Sequence, residues 1–161
     1  MTTRTTFYVK HMEIDRMNIV YHVNYPRWFE VARTDYLKKA GISNSHISNR
    51  GFYLPLSEIQ CKFKSPAKFR DEIAVTTAIS YMSCVKLKFE YKVINIKSGK
   101  LIAVGYSVHA WTDKNITPLN IEKAAPDIFS TLKVFSEKAN FLDNVGNVSF
   151  HESFGIHELI Q

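Results

Sequence analysis

One acidic residue, Asp15, stands a few positions ahead of the aromatic-rich run Tyr21-His22-Val23-Asn24-Tyr25-Pro26-Arg27-Trp28-Phe29-Glu30. That run has the composition of a helix start. A helix start leaves several backbone N–H groups without an intrahelical partner and carries the positive end of the helix dipole. A carboxylate beside such donors can attack a carbonyl carbon that they polarise, or take a proton from the water that does. Residue type and spacing therefore point to acyl chemistry.

The helix that must position these groups is legible. Asn24 is the expected N-cap, and Pro26 suits the first turn, where a missing N–H costs nothing. Tyr25, Trp28, Phe29, Ala32, Tyr36, Leu37 and Ala40 recur at the helical three-to-four spacing, and Gly41 supplies a left-handed stop. Trp28 and Phe29 read as core residues, Glu30 and Arg33 as a surface pair. A first strand is expected over residues 5–14. From residue 52 the period changes to two, giving strands within 52–63, 72–81, 85–96 and 101–112, with the third turning at Lys97-Ser98-Gly99-Lys100 into the last. Along 72–81 the apolar face is Ile73, Val75, Thr77, Ile79 and Tyr81. Along 101–112 it is Ile102, Val104, Tyr106, Val108 and Ala110, against smaller or polar neighbours.

Short connections imply antiparallel neighbours, and a sheet with one apolar face needs one cover. The expected fold class is α+β, a five-stranded antiparallel sheet wrapped around a long central helix. Residues 1–120 form that domain. Residues 121–161 form a C-terminal extension, a short amphipathic helix after Pro126 followed by a tail with a turn at 144–147.

The chain has 161 residues, 45% hydrophobic and 22% charged, which suits one compact domain. Its net charge of +6 favours polyanions, either nucleic acid, an anionic membrane or a phosphate-bearing small molecule. The basic residues are dispersed and form no nucleic-acid motif, so no nucleic-acid partner is expected. No apolar run has the length of a transmembrane segment, and the N-terminus lacks the pattern of a secretory signal, so a cytoplasmic setting is expected. Cys61 and Cys84 are far apart and read as free thiols. The histidines show no ligand spacing, so neither a metal nor a resident cofactor is expected. A serine-hydrolase elbow, a Walker loop and a dinucleotide fingerprint are all absent.

The pattern D-x-x-N-I-V-Y-H-V-N-Y-x-R-W-F-E-x-A-R, with CKFKSPAKFRDEI downstream, resembles the hotdog-fold acyl-CoA thioesterases. Among these it is most similar to the 4-hydroxybenzoyl-CoA thioesterase family, including the bacterial enzymes associated with the Tol–Pal system. The resemblance spans residues 5–120 and matches element order as well as motif. It implies that Asp15 is the catalytic carboxylate, nucleophile or general base, in hydrolysis of an acyl-CoA to a free acid and coenzyme A. It implies that a backbone N–H near His22 polarises the thioester carbonyl, that Tyr21, His22, Asn24 and Tyr25 line the site, and that a homodimer or homotetramer shares each pocket between subunits. Coenzyme A would enter as part of the substrate. The family often has glycine where this chain has Asn18, a residue that tolerates positive φ. An acyl carrier protein is the alternative partner, and a non-catalytic acyl-CoA-binding module the alternative function. Lys62, Lys64, Lys68, Arg70, Lys86 and Lys88 are available to phosphate, but alternating lysines also make a solvent face. Glu58 reads as a solvated strand position.

Overall fold

The computed structural model describes residues 1–138. Helix α1, Asn24–Lys39, follows strand β1, Thr3–Tyr8, and a single 3-10 turn at His11–Glu13. A short helix α2, Asn44–Asn49, precedes strands β2 Leu56–Phe63, β3 Glu72–Met82, β4 Lys86–Asn95 and β5 Leu101–Ala110. Helices α3, Ile121–Ala124, and α4, Pro126–Glu137, complete the described chain. The five strands form one sheet in the order β1-β3-β4-β5-β2, every neighbouring pair antiparallel.

Helix α1 lies across this sheet and packs on β1, β2 and β3. Tyr25, Trp28, Phe29, Ala32, Tyr36 and Leu37 are all buried, the stripe its spacing foretells. At its end Gly41, at φ 85°, donates to the Lys38 carbonyl while Ile42 donates to Leu37, the paired bonds of a Schellman stop. Its start departs from expectation. Val23 is the cap, already near helical angles, and Asn24 caps nothing with its side chain. The Asn24 amide instead donates to the carbonyls of Glu13 and Tyr21, which spends it on holding the preceding loop.

Strand β1 is shorter than expected because β3, its one partner, begins at Glu72, opposite Tyr8. Two further corrections concern strand faces. A bulge between Ile79 and Tyr81 turns Tyr81 outward, 55% exposed, and packs Met82 on the core in its place. In β5 the apolar set assigned inward by alternation is inverted over its second half: Ser107 and His109 are buried, while Tyr106, Val108 and Ala110 are half-exposed. The cause is Gly105. A Cβ there would lie 2.7 Å from the Phe29 ring, so only the small and polar set fits beneath α1.

Ile121, Ala125, Ile128 and Leu132 of the C-terminal helices belong to the same core as the sheet and α1, and Phe135 meets Tyr36 edge-on at 5.1 Å. The turn at 144–147 and the tail lie outside the described residues.

Candidate active site

The segment carrying Asp15 is a small closed loop. Ile14 and Val20 pair as an isolated antiparallel bridge, and inside it Asp15 N–H donates to Ile19 at 2.9 Å. Asn18 N–H donates back to the Asp15 carbonyl at 3.1 Å. Asn18 itself sits at φ 60°, the conformation for which glycine is the usual choice and asparagine the tolerated one. One Asp15 carboxylate oxygen accepts the Met17 N–H at 2.7 Å, and the side chain is otherwise half-open to solvent.

This loop is fastened to the start of α1. Tyr21 N–H donates to the Glu13 carbonyl at 2.8 Å, and the Glu13 carboxylate accepts the Trp28 indole N–H at 2.9 Å. On its other flank Val20 N–H donates to Ala67. Asn24 and Tyr25 spend their amides on the carbonyls of Tyr21 and His22. The amides of His22 and Val23, directly ahead of the helix, have no backbone partner among the described residues. Two free donors thus stand at the positive end of α1, on the segment that follows the Asp15 loop.

The expected site residues divide into two groups. Tyr21 and His22 are exposed and meet edge-to-face at 4.5 Å. Asn24 and Tyr25 are buried. Burial pushes the Tyr25 phenol up to about 12, with Cys61 adding to the rise and the Ala67 backbone drawing it partly back, so it stays protonated. Burial also pushes the nearby Cys61 thiol up to about 11, which leaves it a poor nucleophile; both cysteines are free. Glu58 is exposed and accepts the Tyr106 hydroxyl.

A second arrangement, not anticipated from the sequence, lies farther along α1. A cleft of about 240 Å³ opens between α1 and the β2–β5 side of the sheet. Its walls include Phe29, Leu54, Leu56 and Ile59. Its polar members are connected: the Tyr91 hydroxyl lies 2.7 Å from Ser107, and Ser107 lies 2.9 Å from Nε2 of His109. His109 Nδ1 is 3.0 Å from the Leu54 carbonyl, and Arg33 Nη1 sits 2.7 and 2.9 Å from the two ring nitrogens. The Leu54 carbonyl can only accept and Arg33 can only donate, and the tautomer that serves both has the hydrogen on Nδ1, donated to Leu54, with Nε2 accepting from Arg33. Burial, then the Arg33 charge, lowers His109 to about 4, so the ring is neutral at physiological pH. Glu30 and Arg33 both line the cleft but form no ion pair with each other. The available signal was the Gly105-x-Ser107-x-His109 spacing, which places one small and two polar residues on a single strand face.

Among the described residues no cluster of His, Cys, Asp or Glu could hold a metal ion, and no helix is long and apolar enough to cross a membrane.

The family model of the thioesterase-like superfamily matches residues 9–139. The chain belongs to that superfamily. It is a thioester hydrolase on the hotdog fold, the five-stranded antiparallel sheet wrapped around a central helix. The putative acyl-CoA thioesterase YneP of Bacillus subtilis is 33% identical over 120 residues, 74% of this chain and 86% of the relative. The chloroplastic acyl-acyl carrier protein thioesterase ATL3 of Arabidopsis thaliana is 25% identical over 70% of this chain, which spans 60% of that longer protein. The crystal structure of a DHNA-CoA thioesterase from Staphylococcus aureus superposes with a TM-score of 0.79 at 25% identity, covering 92% of this chain and 97% of that one.

Proposed function

We propose that this thioesterase hydrolyses an acyl-CoA to a free carboxylic acid and coenzyme A, with Asp15 as the catalytic carboxylate. The observation that carries the reading is the Ile14–Val20 bridge, which hangs the Asp15 loop on the helix start whose His22 and Val23 amides are unspent. The amides donate hydrogen bonds to the developing charge on the thioester oxygen. Asp15 either adds to the carbonyl carbon, giving an acyl-aspartyl anhydride that water then cleaves, or takes a proton from water as that water adds. In both routes the C–S bond breaks, coenzyme A leaves as the thiolate, and the chemistry needs no resident cofactor. Tyr21 and His22 would flank the entering thioester, while Asn24 and Tyr25 hold the frame beneath it.

Free-thiol release from a panel of acyl-CoAs tests the reading directly, with full activity in D15N the result that would overturn it. In a single turnover in ¹⁸O-water, label in Asp15 identifies it as the nucleophile, with water opening the anhydride at the aspartyl carbonyl. The name of the YneP relative supports coenzyme A as carrier, and that of ATL3 supports acyl carrier protein. Equal acyl groups on both carriers decide between them. Tight acyl-CoA binding without product release would favour a binding module.

The edge strand β2 leaves Leu56, Ile59 and Phe63 exposed, as an oligomer contact would require. A homodimer or homotetramer is the proposed assembly, readable by light scattering. The two free cysteines suit a cytoplasmic setting.

A further inference from the structure

The cleft beside α1 has apolar walls and one charge without an answer. Arg33 donates to a neutral imidazole, and no carboxylate among the described residues lies within 4.0 Å of its guanidinium. Its Nε is buried with no hydrogen-bond partner. Ser107 and His109, both nine-tenths or more buried, hold that guanidinium against the sheet through the network that ends at Tyr91. A half-buried cation fixed in this way attracts an anion strongly, because little water reaches it. Glu30 shares the cleft but is exposed, so solvent screens it.

The cleft also has a direction. It begins at Pro26, in the first turn of α1, and reaches Arg33, about 10 Å along the axis at the usual helical rise. Val23, with its free amide, heads the same side of the helix. About 240 Å³ of space lies along this path, enough to take a short acyl chain within one subunit.

Resting on the thioesterase reading above, we propose that this cleft is the acyl subsite and that Arg33 receives a carboxylate at the far end of the acyl group. The preferred substrates are then short dicarboxylic acyl thioesters. The Arg33 charge is felt inside the cleft: it pulls down both the His109 and the Tyr91 proton affinities, against the burial that raises Tyr91 to about 12.

The test compares adipoyl-CoA with hexanoyl-CoA, equal in chain length and different only in the terminal group. The expected kcat/KM ratio is at least about tenfold in favour of adipoyl-CoA, the lower end of what one charge-assisted hydrogen bond supplies. In R33Q that ratio collapses toward one. Calorimetric binding of the same two compounds to D15N, which keeps Arg33, reads the same preference without turnover and without depending on how R33Q folds. Failure to hydrolyse either compound, with the binding preference intact, would count against the proposed Asp15 acyl-CoA chemistry alone, since the binding ratio still decides the subsite. A ratio near one in both measurements overturns the proposal. So does an R33Q variant that dissociates an oligomer while the ratio stays unchanged, the outcome if Glu30 of a second copy answers the Arg33 charge.

Discussion

Phe29 lies flat on Tyr91, their ring centroids 4.3 Å apart and their planes within 4° of parallel. Tyr91 pairs across the ladder with Gly105, so the Phe29 ring rests on the glycine as well as on the tyrosine. A methyl group at Gly105 would come within 2.7 Å of that ring and 2.3 Å of the Gln60 carbonyl. Backbone cannot retreat from that contact cheaply. G105A is expected to lose about 1–3 kcal/mol of stability, the usual cost of overpacking, seen as a lower midpoint in denaturant.

D15N should fold like the parent, because an asparagine oxygen can still accept the Met17 N–H. Its turnover should fall by about 10²–10⁴-fold, the range for removing a positioned acid–base group. Coincident melting curves together with thiol-release kinetics check both halves.

Asn18 separates a backbone effect from a chemical one. N18A forces a side chain with no local hydrogen bond into φ 60° and should cost about 1 kcal/mol, whereas N18G should be close to neutral. If Asn18 serves only the loop, N18G retains activity. Thermal melts and turnover of the two variants give the answer.

The His109 ring gives stability a pH dependence of known sign. Its proton affinity in the folded chain, at about 4, lies below the ordinary histidine value of 6.5. The unfolded chain therefore binds the extra proton first as pH falls. The contribution of His109 to stability is complete above about 6.5 and drains away between about 6.5 and 4. Denaturant midpoints across that window should slope less steeply in H109Q than in the parent.

The reach of the sequence is clearest along β5. Its period of two was visible, but its phase was not, because alternation says which residues share a face and not which face meets the helix. Placing Phe29 over Gly105 settles that, and it depends on a packing contact between distant segments. The Arg33–His109 contact was invisible for the same reason, with the two residues 76 positions apart. The Asp15 loop was readable because its parts are neighbours in the chain and its one awkward angle fell on an asparagine. Tyr81 was misplaced by a bulge, which leaves no mark in a simple alternation.

The loop that carries Asp15 is closed by main-chain groups: Asp15 to Ile19, Asn18 to Asp15, and Val20 to Ala67. Arg16 and Met17 lend no side chain to that closure, and both face solvent. The carboxylate is thus held by a frame indifferent to its two nearest side chains. On the proposed reading of Asp15, substitutions at Arg16 and Met17 can change bulk and charge one residue from the carboxylate while leaving the main-chain frame that holds it intact.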